Sequence, residues 1–106
     1  MDLKSYEEFH KTTMLKDFNL SYLALGLGGE TGEVLDKIKK NIRDSNSEMT
    51  DEFKKEVSKE IGDLLWYVTG ICKKLGISLQ DVLKQNAEKL KSRMARNKIH
   101  GSGDNR

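Results

Sequence analysis

The sequence has no proline, a single cysteine and seven aromatic side chains in 106 residues. Without proline, nothing in the chain is barred from a helix interior by a locked ring and a missing N–H. With Cys72 alone, no intramolecular disulfide can form, and a cysteine-based metal site is excluded. Long apolar runs are also missing. The longest, from Ile61 to Cys72, is broken by Asp63 and is too short to span a bilayer. Met1-Asp2-Leu3-Lys4 opens no apolar signal region. The composition therefore predicts a soluble, cytoplasmic protein with no membrane partner. An excess of one charge is lacking as well: 19 Lys and Arg face 17 Asp and Glu, for a net charge of +2. That balance does not by itself point to nucleic acid or to an anionic membrane.

What is present is rich in Leu, Lys and Glu, which favour helix. The length suits one small domain over residues 1–106. With only 36% hydrophobic residues, one copy has little to bury, and a helical chain of this kind shares its core with another copy. Four helices are predicted. The first covers roughly Leu3 to Leu15, and the second Leu20 to Ile42 with Leu23, Leu27, Val34, Leu35, Ile38 and Ile42 as apolar positions. Arg43 to Met49 is polar and reads as a loop. Thr50 is placed to cap a third helix, with Asp51 and Glu52 at the positive end of its dipole. Phe53, Val57, Ile61, Leu64, Leu65, Val68, Ile71 and Leu75 form its apolar stripe, and Lys73, Lys74 and Gly76 its stop. Ser78 and Asp81 resemble a capping box for a fourth helix, with Leu79, Val82, Leu83, Leu90 and Met94 inward. Residues 96–106, ending Gly101-Ser102-Gly103-Asp104-Asn105-Arg106, are expected to be a frayed tail, with a phosphate-binding backbone nest at Gly101-Ser102-Gly103 as the other reading.

Two acid pairs stand out, Glu30-x-x-Glu33 on the second helix and Glu60-x-x-Asp63 on the third. Residues three apart share a helix face with Cβ atoms about 5–6 Å apart, so each pair is mildly repulsive unless a cation lies between. If the two helices pack antiparallel, all four carboxylates converge, a donor set suited to a hard divalent cation. No histidine accompanies the acids, and all-oxygen ligation favours Mg²⁺ or Mn²⁺ over iron or zinc. The other reading of each pair is a solvated face, as expected for Glu7, Glu8, Glu48 and Glu52. Gly29, Gly32 and Gly62 each cost about 1 kcal/mol relative to Ala inside a helix, which suggests close approach of a helix or ligand beside the acids. His10 and His100 lie far from the acids in sequence and have no matching nucleophile for a triad. Cys72 falls on an apolar face. Trp66 reads as core or interface.

The segment Leu25-Gly26-Leu27-Gly28-Gly29-Glu30-Thr31-Gly32-Glu33-Val34, followed by Asp36 and Lys39-Lys40, resembles the first motif of the MazG family. Glu60-Ile61-Gly62-Asp63-Leu64-Leu65-Trp66-Tyr67 resembles the second, with 26 residues between Glu33 and Glu60. Asn86-Ala87-Glu88-Lys89-Leu90-Lys91-Ser92-Arg93 is similar to the family's basic motif, and the Gly101 to Arg106 tail to the ending of one compact branch. The resemblance implies an all-α, four-helix bundle assembled as a homodimer or homotetramer. It implies Mg²⁺-dependent cleavage of a nucleoside triphosphate, ribo- or deoxy-, to the monophosphate and pyrophosphate, as nucleotide-pool house-cleaning. By position it makes Glu30, Glu33, Glu60 and Asp63 the metal ligands and catalytic acids. Lys89 and Arg93 would hold phosphate oxygens, with Asn86 on their stripe, and Tyr67 would stand near the nucleotide. Many relatives carry a second acid just before the position of Glu60, where this chain has Lys59. Glu56 shares the stripe of Glu60, Asp63 and Tyr67 and reads as a base, a supporting group or plain surface. Two rival readings remain: a catalytically silent helical dimer that binds a nucleotide or a protein partner, and a nucleic-acid binder using the basic run Lys91 to Lys98. In the second, the acids would repel phosphate backbones, so a nucleic-acid partner is not expected.

Overall fold

The computed structural model describes residues 1–106 and contains four helices and no strand: α1 Leu3–Thr13, α2 Leu20–Ser45, α3 Asp51–Lys74 and α4 Leu79–Ala95. Each start is fixed by a side-chain cap. Asp2 accepts from the Ser5 N–H (2.8 Å), Asn19 from the Tyr22 N–H (2.8 Å), Thr50 from the Phe53 N–H (3.1 Å) and Ser78 from the Asp81 N–H (3.4 Å). Gly76 ends α3 at φ +69°, the left-handed conformation that glycine adopts without strain.

Three details depart from the sequence reading. α1 stops at Thr13 rather than Leu15, because the Met14 and Leu15 N–H groups already turn back to His10 O and Thr13 O. α2 runs past Ile42 to Ser45, because Asn46 and Ser47 take up left-handed backbone and the Ser47 N–H donates to Asn41 O (3.2 Å). The Asn41 side-chain amide then donates to Glu48 O (2.9 Å), closing a shorter loop than the polar run suggests. Glu7, expected on the surface, caps α4: its carboxylate accepts from the Leu79 N–H and the Ser78 hydroxyl. A carboxylate there is favoured by the unpaired donors and positive dipole of a helix start.

α2 and α3 pack antiparallel along most of their length, while α1 and α4 cover one end of that hairpin. The packed core is small. Leu23, Cys72 and Leu79 are its only buried hydrophobic side chains, around a fully buried His10 and Thr69. Gly70 leaves room for Leu23 to lie against α3. Much of the expected apolar stripe is open in the single chain: Leu35 is 62% exposed, Ile42 60%, Leu75 55% and Leu83 52%. Four helices in this arrangement have no further element to lay against those faces. The consequence is visible in the size. The chain exposes 7940 Å², whereas a folded monomer of its mass exposes about 6,000 Å². Its radius of gyration is 16.9 Å, against about 13 Å for a compact domain of this length. No helix is long and apolar enough to cross a membrane.

Candidate functional site

The antiparallel α2–α3 pairing brings the two acid motifs together. Oxygens of Glu30, Glu60 and Asp63 all lie within 4.8 Å of one another. Glu30 and Glu60 are half-buried and Asp63 is exposed. Glu33, one helical turn from Glu30, is exposed and offers no oxygen to this trio, although its charge reaches Glu30. Partial burial, then the Asp63 and Glu60 carboxylates, raise the Glu30 carboxyl above its ordinary value. The trio opens into a cavity of about 330 Å³ lined by Glu30, Asp63, Trp66 and Tyr67.

The donor set suits a hard divalent cation. Three carboxylates supply oxygen only, with no His or Cys in the cluster, and a positive ion removes their mutual repulsion. Oxygens around one octahedral Mg²⁺ stand about 3–4 Å apart, so the trio needs only a small contraction.

The aromatic wall is held from behind. The Tyr67 ring lies against the backbone of Gly26, where a Cβ would overlap the ring. Its phenol is raised by burial first, then by Tyr22 and Glu30 nearby. Trp66 meets Tyr67 edge-on (5.0 Å between centroids) and donates its indole N–H to the Thr13 hydroxyl (2.7 Å). The Trp66 carbonyl accepts from His10 Nε2 (2.9 Å), and His10 Nδ1 accepts from the Lys73 ammonium (2.8 Å). His10 therefore stands directly behind the cavity wall, despite its distance in sequence. Tyr6 of α1 is also close enough for Asp63 to act on its phenol, after burial.

Not every expected residue joins the site. Asn86 is exposed, and neither it, Lys89 nor Arg93 lines the cavity. Lys89 instead bonds the Asp104 carboxylate (3.1 Å), and the buried Arg93 guanidinium donates to Asp104 O (2.9 Å) and to its carboxylate (3.4 Å). The tail is thus folded back on α4, not frayed. Arg106 reinforces it with bonds to the carbonyls of Lys98 (3.0 Å) and Ile99 (3.1 Å). A Cβ at Gly29, Gly32 or Gly62 would meet open space, so close helix approach within the chain does not explain these glycines. Cys72 is buried and its thiol is raised by burial, as expected of a core position. One neighbour of the acids was missed in the sequence: Lys37, whose ammonium stands 3.6 Å from Glu60 and 3.9 Å from Glu56. The spacing Glu30 to Lys37, two helical turns on one face, was the signal available.

A family model described as the MazG nucleotide pyrophosphohydrolase domain matches residues 18–96. The chain belongs to the MazG family. The match takes in both acid motifs, the loop between α2 and α3 and all of α4. A relative, the Gene 37 protein of Mycobacterium phage L5, is 44% identical over 87 residues, which cover 82% of this chain and 76% of the phage protein. No solved structure matches significantly. MazG membership places the chain in a nucleotide pyrophosphohydrolase family, and the carboxylate trio lies within the matched residues.

Proposed function

We propose that this MazG domain hydrolyses nucleoside triphosphates, ribo- or deoxy-, to the monophosphate and pyrophosphate, with Mg²⁺ or Mn²⁺ as cofactor, in a cytoplasmic nucleotide-pool role. The observation that carries the reading is the convergence of Glu30, Glu60 and Asp63 from two helices beside an aromatic-walled cavity. Glu30, Glu60 and Asp63 would hold the metal. Glu33, one helical turn from Glu30, would complete the acid set. Bound there, a divalent ion supplies charge neutralisation, Lewis acidity and acidification of a coordinated water.

The chain's own groups do the rest. Trp66 and Tyr67 offer ring surface to a nucleoside and exclude water on one side of the cavity. Tyr67 is fixed for this by Gly26, and Trp66 by Thr13 and His10. A water oxygen forms the new bond to the α-phosphorus and gives up its proton to solvent as the bond to the bridging oxygen breaks, so pyrophosphate leaves with that oxygen. Lys89 and Arg93 hold phosphate oxygens, with Asn86 on the same stripe, by exchanging the Asp104 carboxylate for those of the substrate. The working unit is a homo-oligomer, dimer or tetramer. The roughly 1,900 Å² of surface beyond that of a compact monomer matches what one subunit of an obligate dimer buries.

The test is a screen of all eight common ribo- and deoxynucleoside triphosphates with Mg²⁺, scoring monophosphate and pyrophosphate separately. Pyrophosphate release that depends on Mg²⁺ and is lost in Asp63→Asn is the expected result. Release of orthophosphate instead, or no turnover by the folded protein, overturns the assignment.

A further inference from the structure

The α2–α3 seam carries charges of alternating sign. Glu30, Glu60 and Asp63 gather at one level, and two turns along α2 from Glu30 the ammonium of Lys37 stands 3.6 Å from Glu60 Oε1 and 3.9 Å from Glu56 Oε2. Glu60 is common to both groups. Lys37 and Glu60 are both shielded, with side chains 30% and 20% exposed, so this pair is better protected from solvent than an ordinary surface ion pair. Lys37 makes no hydrogen bond of normal length to either acid. It sits at charge-contact distance. Glu56 is shared in turn with Lys59 (3.3 Å), which leaves Glu60 as the acid that draws Lys37 toward the trio.

We infer that Lys37 is a built-in counter-ion of the acid site, a positioning residue that competes with the divalent ion for Glu60 and so weakens metal binding. The inference rests on the metal-site reading given above. Without metal, the ammonium offsets part of the repulsion among three carboxylates and holds Glu60 on the α2 side. With metal, the same positive charge remains near the ion and opposes it. Charges of +1 and +2 about 6 Å apart in water change a binding constant by about tenfold. A weakly held ion suits a hydrolase whose product, pyrophosphate, is itself a strong ligand for divalent cations.

The experiment is Mn²⁺ binding to the metal-free full chain at low ionic strength, by calorimetry and by the electron paramagnetic resonance signal of free Mn²⁺, for wild type, Lys37→Met and Lys37→Arg. Methionine keeps the unbranched stem and removes the charge; arginine keeps the charge. The expected result is about tenfold tighter Mn²⁺ binding in Lys37→Met, with a larger Mn²⁺-induced rise in melting temperature, and near wild-type affinity in Lys37→Arg. A role in packing alone predicts lower stability in Lys37→Met with no gain in affinity. Wild type that binds Mn²⁺ while Lys37→Met binds it no more tightly overturns the role of Lys37 and leaves the metal site standing. Wild type that takes up no Mn²⁺ overturns both.

Discussion

Glu30→Gln isolates the electrostatics of the site, because it removes one charge and keeps the shape. Glu30 has two like-charged partners, Glu60 and Asp63, with oxygens within 4.8 Å. At that separation each pair repels by about 0.9 kcal/mol at the dielectric of water, and by less in salt. Lys37 offsets part of the Glu60 share. With Glu30 only partly shielded, the screened value is appropriate, and the net relief is about 1 kcal/mol. For a domain of this length that is a rise in melting temperature of about 4–8 °C in the absence of metal. The pH dependence has a definite sign. Burial and the neighbouring acids raise the Glu30 carboxyl above its ordinary 4.5, so it is its ionised form that opposes folding. The stability gained by Glu30→Gln should therefore be absent well below pH 4.5 and develop as pH rises through the folded value. Added Mn²⁺ should reverse the order, since an ion bound only to the folded state stabilises wild type by mass action and the variant much less. The assay is thermal melting from pH 3.5 to 8 with chelator and with Mn²⁺, beside pyrophosphate release. A variant that melts below wild type in chelator at neutral pH, or that keeps the full Mn²⁺ response, would refute the claim that these carboxylates form an ion site.

Three further outcomes are expected. Light scattering at micromolar concentration should find a homo-oligomer, and a folded, active monomer would show that the exposed Leu35, Ile42 and Leu83 are simply solvated. His10 is held neutral by burial, with Lys73 adding to the effect and the Trp66 carbonyl opposing it, so its folded pKa lies below the ordinary 6.5. Its contribution to stability is thus present above pH 6.5 and lost as pH falls through the folded value; His10→Gln should flatten that limb of a melting-temperature profile. Arg93→Ala should raise KM or lower kcat by tenfold or more, since a charge-assisted phosphate contact contributes roughly 1.5–3 kcal/mol, and unchanged kinetics in a folded variant would leave Arg93 as an anchor for the tail only.

The parts of this molecule that could be read from the sequence are those set by local chemistry. Caps at Thr50 and Ser78, the stop at Gly76 and the i, i+3 acid pairs depend on neighbours within one turn, and the structure has them where the residues indicate. The convergence of Glu30, Glu60 and Asp63 needed one further step, the antiparallel return of α3 along α2, which a short polar loop between two long apolar stripes nearly forces.

What stayed hidden are partners chosen across elements, where sequence distance says nothing. His10 looked remote from the acids, yet it hydrogen-bonds the carbonyl of Trp66, three residues beyond Asp63. Glu7 looked like surface until the start of α4 arrived beside it with unpaired N–H groups. Arg93 was read from its own helical stripe, and its partner within the chain, Asp104 of the returning tail, lies beyond the end of that helix. The apolar stripes fail differently. Their periodicity correctly places Leu35, Ile42 and Leu83 on helix faces, but periodicity is blind to which molecule covers a face. Surface left open in one chain is therefore no error in the helix reading. In the homo-oligomer proposed above, it is the surface that a second copy would cover.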